Sequence, residues 1–128
     1  MTTPRYGWSA PSTLEAEGLH VHEAADGLDA LEQARRDRPD LILTDVSMPR
    51  LGGFRLAERL RADERTRGIP VIFLSGEVGP SHAQRARALG AVAYWTKPFD
   101  PRALAAFVAN ELVPARAGPS ELTAAAAA

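Results

Sequence analysis

The chain has 128 residues, a formal net charge of −1, 45% hydrophobic residues and no cysteine. That length suits one domain with a single core, the near-cancelling charge argues against a nucleic-acid surface, and the missing cysteines exclude a disulfide framework and thiolate metal sites. No apolar run approaches a membrane span and the N-terminus lacks the basic-then-apolar pattern of a signal peptide, so a cytoplasmic protein that binds neither nucleic acid nor membrane is expected.

In chain order, residues 1–11 contain two prolines and a glycine without sustained alternation, and read as an irregular segment. Ser12 to Glu17 followed by Gly18 reads as the end of a helix with a glycine cap. Leu19 to Ala24 alternates like a strand; Asp26-Gly27 is a turn; Leu28 to Arg36 has helical spacing and stops before Pro39. His20 and His22 share one face of that strand and read as surface residues, with a metal pair as the minor alternative. Leu41 to Thr44 is an unbroken apolar run, as expected of a strand buried on both faces of a parallel sheet. Phe54 to Thr66 is amphipathic, with Phe54, Leu56, Ala57 and Leu60 on its apolar side. Pro70 to Leu74 predicts a second buried strand, Ser81 to Leu89 a helix closed by Gly90, and Ala91 to Trp95 a short strand. Pro101 to Leu112 predicts the last helix, with proline at its start. Residues 114–128 read as a flexible Ala-rich tail, outside the fold. Strands alternating with helices imply a parallel α/β sheet with helices on both faces.

Three of these strands run into polar residues: Asp45, Ser75 and Lys97. Parallel strands place their C-terminal ends along one edge, where α/β proteins build their sites, so the three side chains should converge. A carboxylate beside a hydroxyl and an ammonium suits an aspartyl-phosphate. Asp45 is the nucleophile; Ser75 and Lys97 neutralise the phosphoryl oxygens, usually with a divalent metal. Gly76 leaves room for the incoming group.

The residues Leu41-Ile42-Leu43-Thr44-Asp45-Val46-Ser47-Met48-Pro49 with Gly52-Gly53, Pro70 to Gly76, Gly90-Ala91 and Tyr94-Trp95-Thr96-Lys97-Pro98-Phe99 resemble the receiver domain of two-component response regulators. The resemblance runs from about Leu14 to Leu112 and implies a flavodoxin-like fold over residues 12–113. It implies Asp45 as phosphoacceptor, Ser75 as the switching hydroxyl, Lys97 as the cation before a cis Pro98, and Tyr94 as the aromatic switch. Mg²⁺ would be held by Asp45 and the backbone carbonyl of Ser47, and the phospho-donor would be a histidine kinase or phosphotransfer protein. The face of the last two helices and the last strand would dock a partner.

The chain departs from the family at its start. Receivers begin with a central apolar strand ending in acidic residues that complete the metal site, and counting back from Asp45 places that cluster at Met1 to Thr3. The first strand is therefore missing or degenerate. Met1-Thr2-Thr3-Pro4 is also what a one-base shift of codons for Asp-Asp-Asp-Pro would encode. The gap would have to be closed by direct pairing of the flanking strands, by the N-terminal segment, or by another chain, and a homodimer is the expected remedy. With one carboxylate, Mg²⁺ binding and phosphorylation of Asp45 should be impaired. The leading expectation is a single-domain receiver-like signalling protein and not an enzyme, with a phosphorylation-independent interaction module as the alternative. An aspartyl-nucleophile phosphatase is remote, because Ser47 stands where that class needs a second Asp.

Overall fold

The computed structural model describes residues 15–16, 18–48, 50–76, 80–97, 99–112 and 121–125. In chain order the elements are β1 (His20–Ala24), α1 (Gly27–Asp37), β2 (Leu41–Asp45), α2 (Gly53–Ala62), β3 (Val71–Ser75), α3 (Pro80–Ala88), β4 (Ala93–Thr96), α4 (Pro101–Leu112) and β5 (Glu121–Ala125). The strands form one five-stranded parallel sheet in the order β1-β5-β2-β3-β4. The expected alternation of strands and helices, and the parallel sheet, are present.

The central strand is the surprise. β5 lies between β1 and β2, with Val21 opposite Leu122 on one side and Leu41 opposite Leu122 on the other. Residues 121–125 therefore belong to the fold, which corrects the expectation of a flexible tail over 114–128 for those five residues. They also close the gap from within the chain, where a second chain was the expected remedy. The physical reason is that the open edges of β1 and β2 need backbone partners, and any strand whose side chains fit can supply them. The slot suits small residues. Leu122 and Ala124 are fully buried on one face of the sheet; Ala125 is buried on the other, in a cluster with Ala24, Ala30 and Ala34. Burial of Leu122 contributes roughly 2 kcal/mol, and the alanines little beyond their backbone pairing.

Helices α1, α2 and α3 cover one face, where Ile42, Phe73, Leu56 and Leu60 are buried together. α4 covers the other through Leu104, Ala105 and Val108, packed on Leu41, Leu43, Ile72 and Leu74. Strand β2 and strand β3 are buried along their whole length. That explains their unbroken apolar runs. Trp95 is half-buried and meets Phe99 and Phe107 edge-on at 6.3 and 5.9 Å.

Local chemistry sets the helix ends. Asp26 is more than a turn residue: its carboxylate accepts the Asp29 N–H at 2.9 Å and so caps α1. α2 stops at Ala62, short of the expected Thr66. There the Asp63 carboxylate accepts from the Arg65 N–H and the Arg35 guanidinium, and the Thr66 hydroxyl donates to the Leu60 carbonyl at 2.8 Å. Those bonds satisfy the frayed end without another helical turn. Helical geometry at Glu15 and Ala16, followed by Gly18 at φ 89°, agrees with the expected helix end.

Candidate functional site

Asp45 ends β2 and is 5% exposed. Its backbone pairs with Leu74, and the ladder continues through the Val46 N–H to the Leu74 carbonyl at 3.0 Å. The side chain therefore stands at the C-terminal edge, next to the end of β3. Ser75 ends β3, is 1% exposed and pairs with Thr96 of β4. The Lys97 N–H then donates to the Ser75 carbonyl at 2.7 Å, which fixes where the lysine side chain starts. The Lys97 ammonium forms an ion pair and hydrogen bond with Asp45 Oδ2. The other carboxylate oxygen, Oδ1, accepts the Ser47 N–H at 3.3 Å. Asp45 and Lys97 are thus brought together, and Ser75 ends the strand between them along the same edge.

Glycine makes this edge possible. A Cβ on Gly53 would stand 2.2 Å from the Asp45 carbonyl oxygen, and the Gly53 N–H donates to the Val46 carbonyl at 2.8 Å. The pair Gly52-Gly53 therefore lets α2 start directly beneath the end of β2. A Cβ on Gly76 would meet nothing within 4 Å, so the side of the site next to Ser75 is open. Motif and periodicity did not single out Arg50, and marked Gly27 only as part of a turn. Arg50, at φ 70°, pairs with Asp26 at 3.2 Å, and Gly27 leaves no room for a Cβ against the Leu51 carbonyl, 1.9 Å away. Together they hold the loop after Asp45 against the start of α1. The signal for Gly27 was its place after a capping Asp; Arg50 carried none.

Tyr94 is half-buried in β4 and packs on the face covered by α1, α2 and α3. It borders a groove of about 250 Å³ with Ala83, Ala86, Arg87, Val92 and Ala93. Pro98, and with it the expected cis bond, lies outside the described residues, as do Pro49 and Met1 to Thr3.

Neither β1 nor β5 ends in a carboxylate. β1 ends at Ala24 and β5 at Ala125, which pairs with both Ala24 and Thr44. Asp26, the nearest acid in sequence after β1, is committed to its cap and to Arg50. Among the described residues no three His, Asp or Glu side chains are grouped to hold a metal ion. Among the described residues this edge therefore offers one carboxylate, where a hard dication takes several oxygens.

Arg85 and Arg87 are exposed on α3, and Arg85 also lies 4.8 Å over the Phe54 ring. No helix of the described residues is long and apolar enough to cross a membrane.

Comparison with known proteins agrees with this geometry. The family model of the response regulator receiver domain matches residues 9–109. The polar-differentiation response regulator DivK of Brucella anthropi is 38% identical over 86 residues, covering 67% of this chain and 70% of its own. The chain spans 45%, 11% and 36% of the length of three other curated relatives, so it corresponds to only part of those proteins. Among solved structures, chemotaxis protein CheY4 of Vibrio cholerae superposes with a TM-score of 0.72 at 33% identity, over 80% of this chain and 84% of that one. The receiver domain of sensor histidine kinase PA1611 from Pseudomonas aeruginosa PAO1, described with magnesium in its active-site cleft, gives 0.71 at 29% identity over 80% and 84%. The matched residues end before β5, so the family likeness rests on the rest of the sheet and not on the strand that fills its centre. The chain belongs to the response regulator receiver family, with a flavodoxin-like fold and a role in two-component signalling.

Proposed function

We propose that this chain is a receiver-type signalling module whose acceptor is Asp45, and whose metal binding and phosphorylation are impaired. The observation that carries the reading is the Lys97 ammonium seated on Asp45, at the edge where Ser75 ends β3, with no other strand ending in a carboxylate at that edge among the described residues. Asp45 supplies the nucleophilic oxygen, Lys97 the cation for the phosphoryl oxygens, and Ser75 the hydroxyl donor. Ser47 flanks the acceptor through its N–H, and Tyr94 is the candidate readout residue behind Ser75. A histidine kinase or phosphotransfer protein would supply the phosphoryl group, in the cytoplasm, and the chain would have no turnover of its own. Mg²⁺, which the family typically uses, would bind weakly through Asp45 and the Ser47 carbonyl.

Labelling with radioactive acetyl phosphate tests this. Slow uptake, insensitive to Mg²⁺ and abolished in Asp45→Asn, is expected. Fast, stoichiometric, Mg²⁺-dependent labelling would remove the impairment from the reading. A label that persists in Asp45→Asn would remove Asp45.

A second reading, an interaction module independent of phosphorylation, is favoured by the Asp45–Lys97 pair, which neutralises the acceptor without a phosphoryl group. The groove beside Tyr94 and exposed Val92 would then be its docking face. Partner capture unchanged in Asp45→Asn would select this reading over the first.

A further inference from the structure

β5 is the last element in chain order, yet it sits at the centre of the sheet, between two strands joined to each other through α1. Before the tail arrives, β1 and β2 each present an open ladder edge. Such edges template strand pairing. The slot also discriminates among strands. Glu121 at its mouth is gripped by His20 Nδ1 at 2.9 Å and His22 Nε2 at 2.6 Å. The Asp40 carboxylate accepts the Glu121 N–H at 2.7 Å, and the Asp40 N–H donates to the Glu121 carbonyl at 2.7 Å. The next position takes a fully buried leucine, Leu122. The last positions take alanine, because α1 lies on β5 and brings Ala30 and Ala34 to that face.

None of these contacts depends on the tail belonging to the same chain. We propose that the slot between β1 and β2 is a strand-acceptor site whose alternative occupant is the Glu121–Ala125 strand of a second copy, giving a reciprocally exchanged dimer. Two imidazole nitrogens, one on each oxygen of a single carboxylate, supply the polar complementarity that selects this strand, and exchange preserves the native contacts of the slot. The competitor is the tethered tail, whose effective concentration is on the order of millimolar. Exchange therefore becomes comparable to closure when chains fold together near that concentration. β5 is paired on both sides, so leaving the slot opens the middle of the sheet, and a dimer formed during folding persists after dilution.

The test uses two differently tagged copies of the full chain, unfolded together, refolded at about 1 mM and then diluted. The expected result is a dimer carrying both tags that survives dilution and does not form when folded copies are simply mixed. A charge-swapped pair adds selectivity: Glu121→Lys in one copy, His20→Glu with His22→Glu in the other. Each mutated chain mismatches its own tail, whereas exchange between them restores both matches, so at least a roughly tenfold preference for the mixed dimer over either self-dimer is expected. The proposal is overturned if only monomer follows refolding, if mixed and self-dimers form equally, or if the dimer tolerates Ala124→Pro, which removes a ladder donor from β5.

Discussion

The two halves of the sheet meet the same demand with different side chains. β2 and β3 bury Leu41, Ile42, Leu43, Ile72, Phe73 and Leu74, and with the start of the loop after β4 they carry Asp45, Ser75 and Lys97. β1 and β5 pair just as regularly, yet β5 contributes one large apolar side chain, Leu122, and ends in alanines. The contrast separates what a fold needs from what a site needs. A sheet centre needs backbone donors and acceptors and side chains that fit, and an Ala-rich segment provides those. A metal-assisted acceptor needs particular carboxylates at the strand ends, and Ala24 and Ala125 stand where the flanking strands could have brought them. Residues 121–125 thus complete the sheet and bring no carboxylate to its C-terminal edge.

The largest effect should come from breaking the weaker half. A chain ending at residue 118 loses β5 and leaves two ladder edges open, so its loss should approach the whole folding free energy, about 5–15 kcal/mol for a domain of this class. Circular dichroism should then show no cooperative melt. A folded, cooperative truncated chain would mean that the β2–β3–β4 half stands alone. Within β5, Leu122→Ala should cost about 2–4 kcal/mol by urea denaturation, since Leu122 is its one large buried side chain.

The stronger half should be most sensitive beneath Asp45. Gly53→Ala forces a methyl group to 2.2 Å from the Asp45 carbonyl, and should cost about 3 kcal/mol or shift the start of α2. Gly76→Ala, with nothing within 4 Å, should change stability by no more than about 0.5 kcal/mol. Equal effects of the two would show that crowding at this edge does not decide its stability. Lys97→Met leaves the buried Asp45 carboxylate unpaired. The lysine is 35% exposed, so the cost should be about 1–2 kcal/mol, below that of a fully buried pair, and should largely vanish when Asp45→Asn is added.

The smallest effect should lie at the exposed clasp on β5. The His22 ring, and after it His20, hold the Glu121 carboxyl below its ordinary value of 4.5. A depressed carboxylate stabilises the fold above its unfolded pKa, and that contribution disappears as pH falls through the folded value. Glu121→Gln should therefore destabilise by under about 1 kcal/mol at about pH 6, with the difference from the unsubstituted chain fading below about pH 4. Melts between about pH 3 and 7 would measure it, and a difference that grows on acidification would show the sign to be wrong.

Much of this architecture is legible in the order of the residues. The apolar runs at 41–44 and 70–74, the helical spacing at 54–60 and the glycine and proline stops follow from side-chain periodicity and backbone chemistry, which are local properties. The convergence of Asp45, Ser75 and Lys97 is equally legible, because parallel strands share a C-terminal edge whatever their order. Three things are not. The early end of α2 turns on Asp63, whose carboxylate reaches Arg35 of another helix. The grip on Asp26 comes from Arg50, far along the chain. The role of Glu121 to Ala125 is hidden because alanine favours helix over strand in isolation, so nothing local marks those residues as β. Side-chain chemistry alone thus specified strands that run apolar and end in Asp45, Ser75 and Lys97 at one edge. The segment that fills the centre of the sheet was chosen by long-range pairing, because two open ladders accept any strand that fits and backbone amides carry no sequence signature.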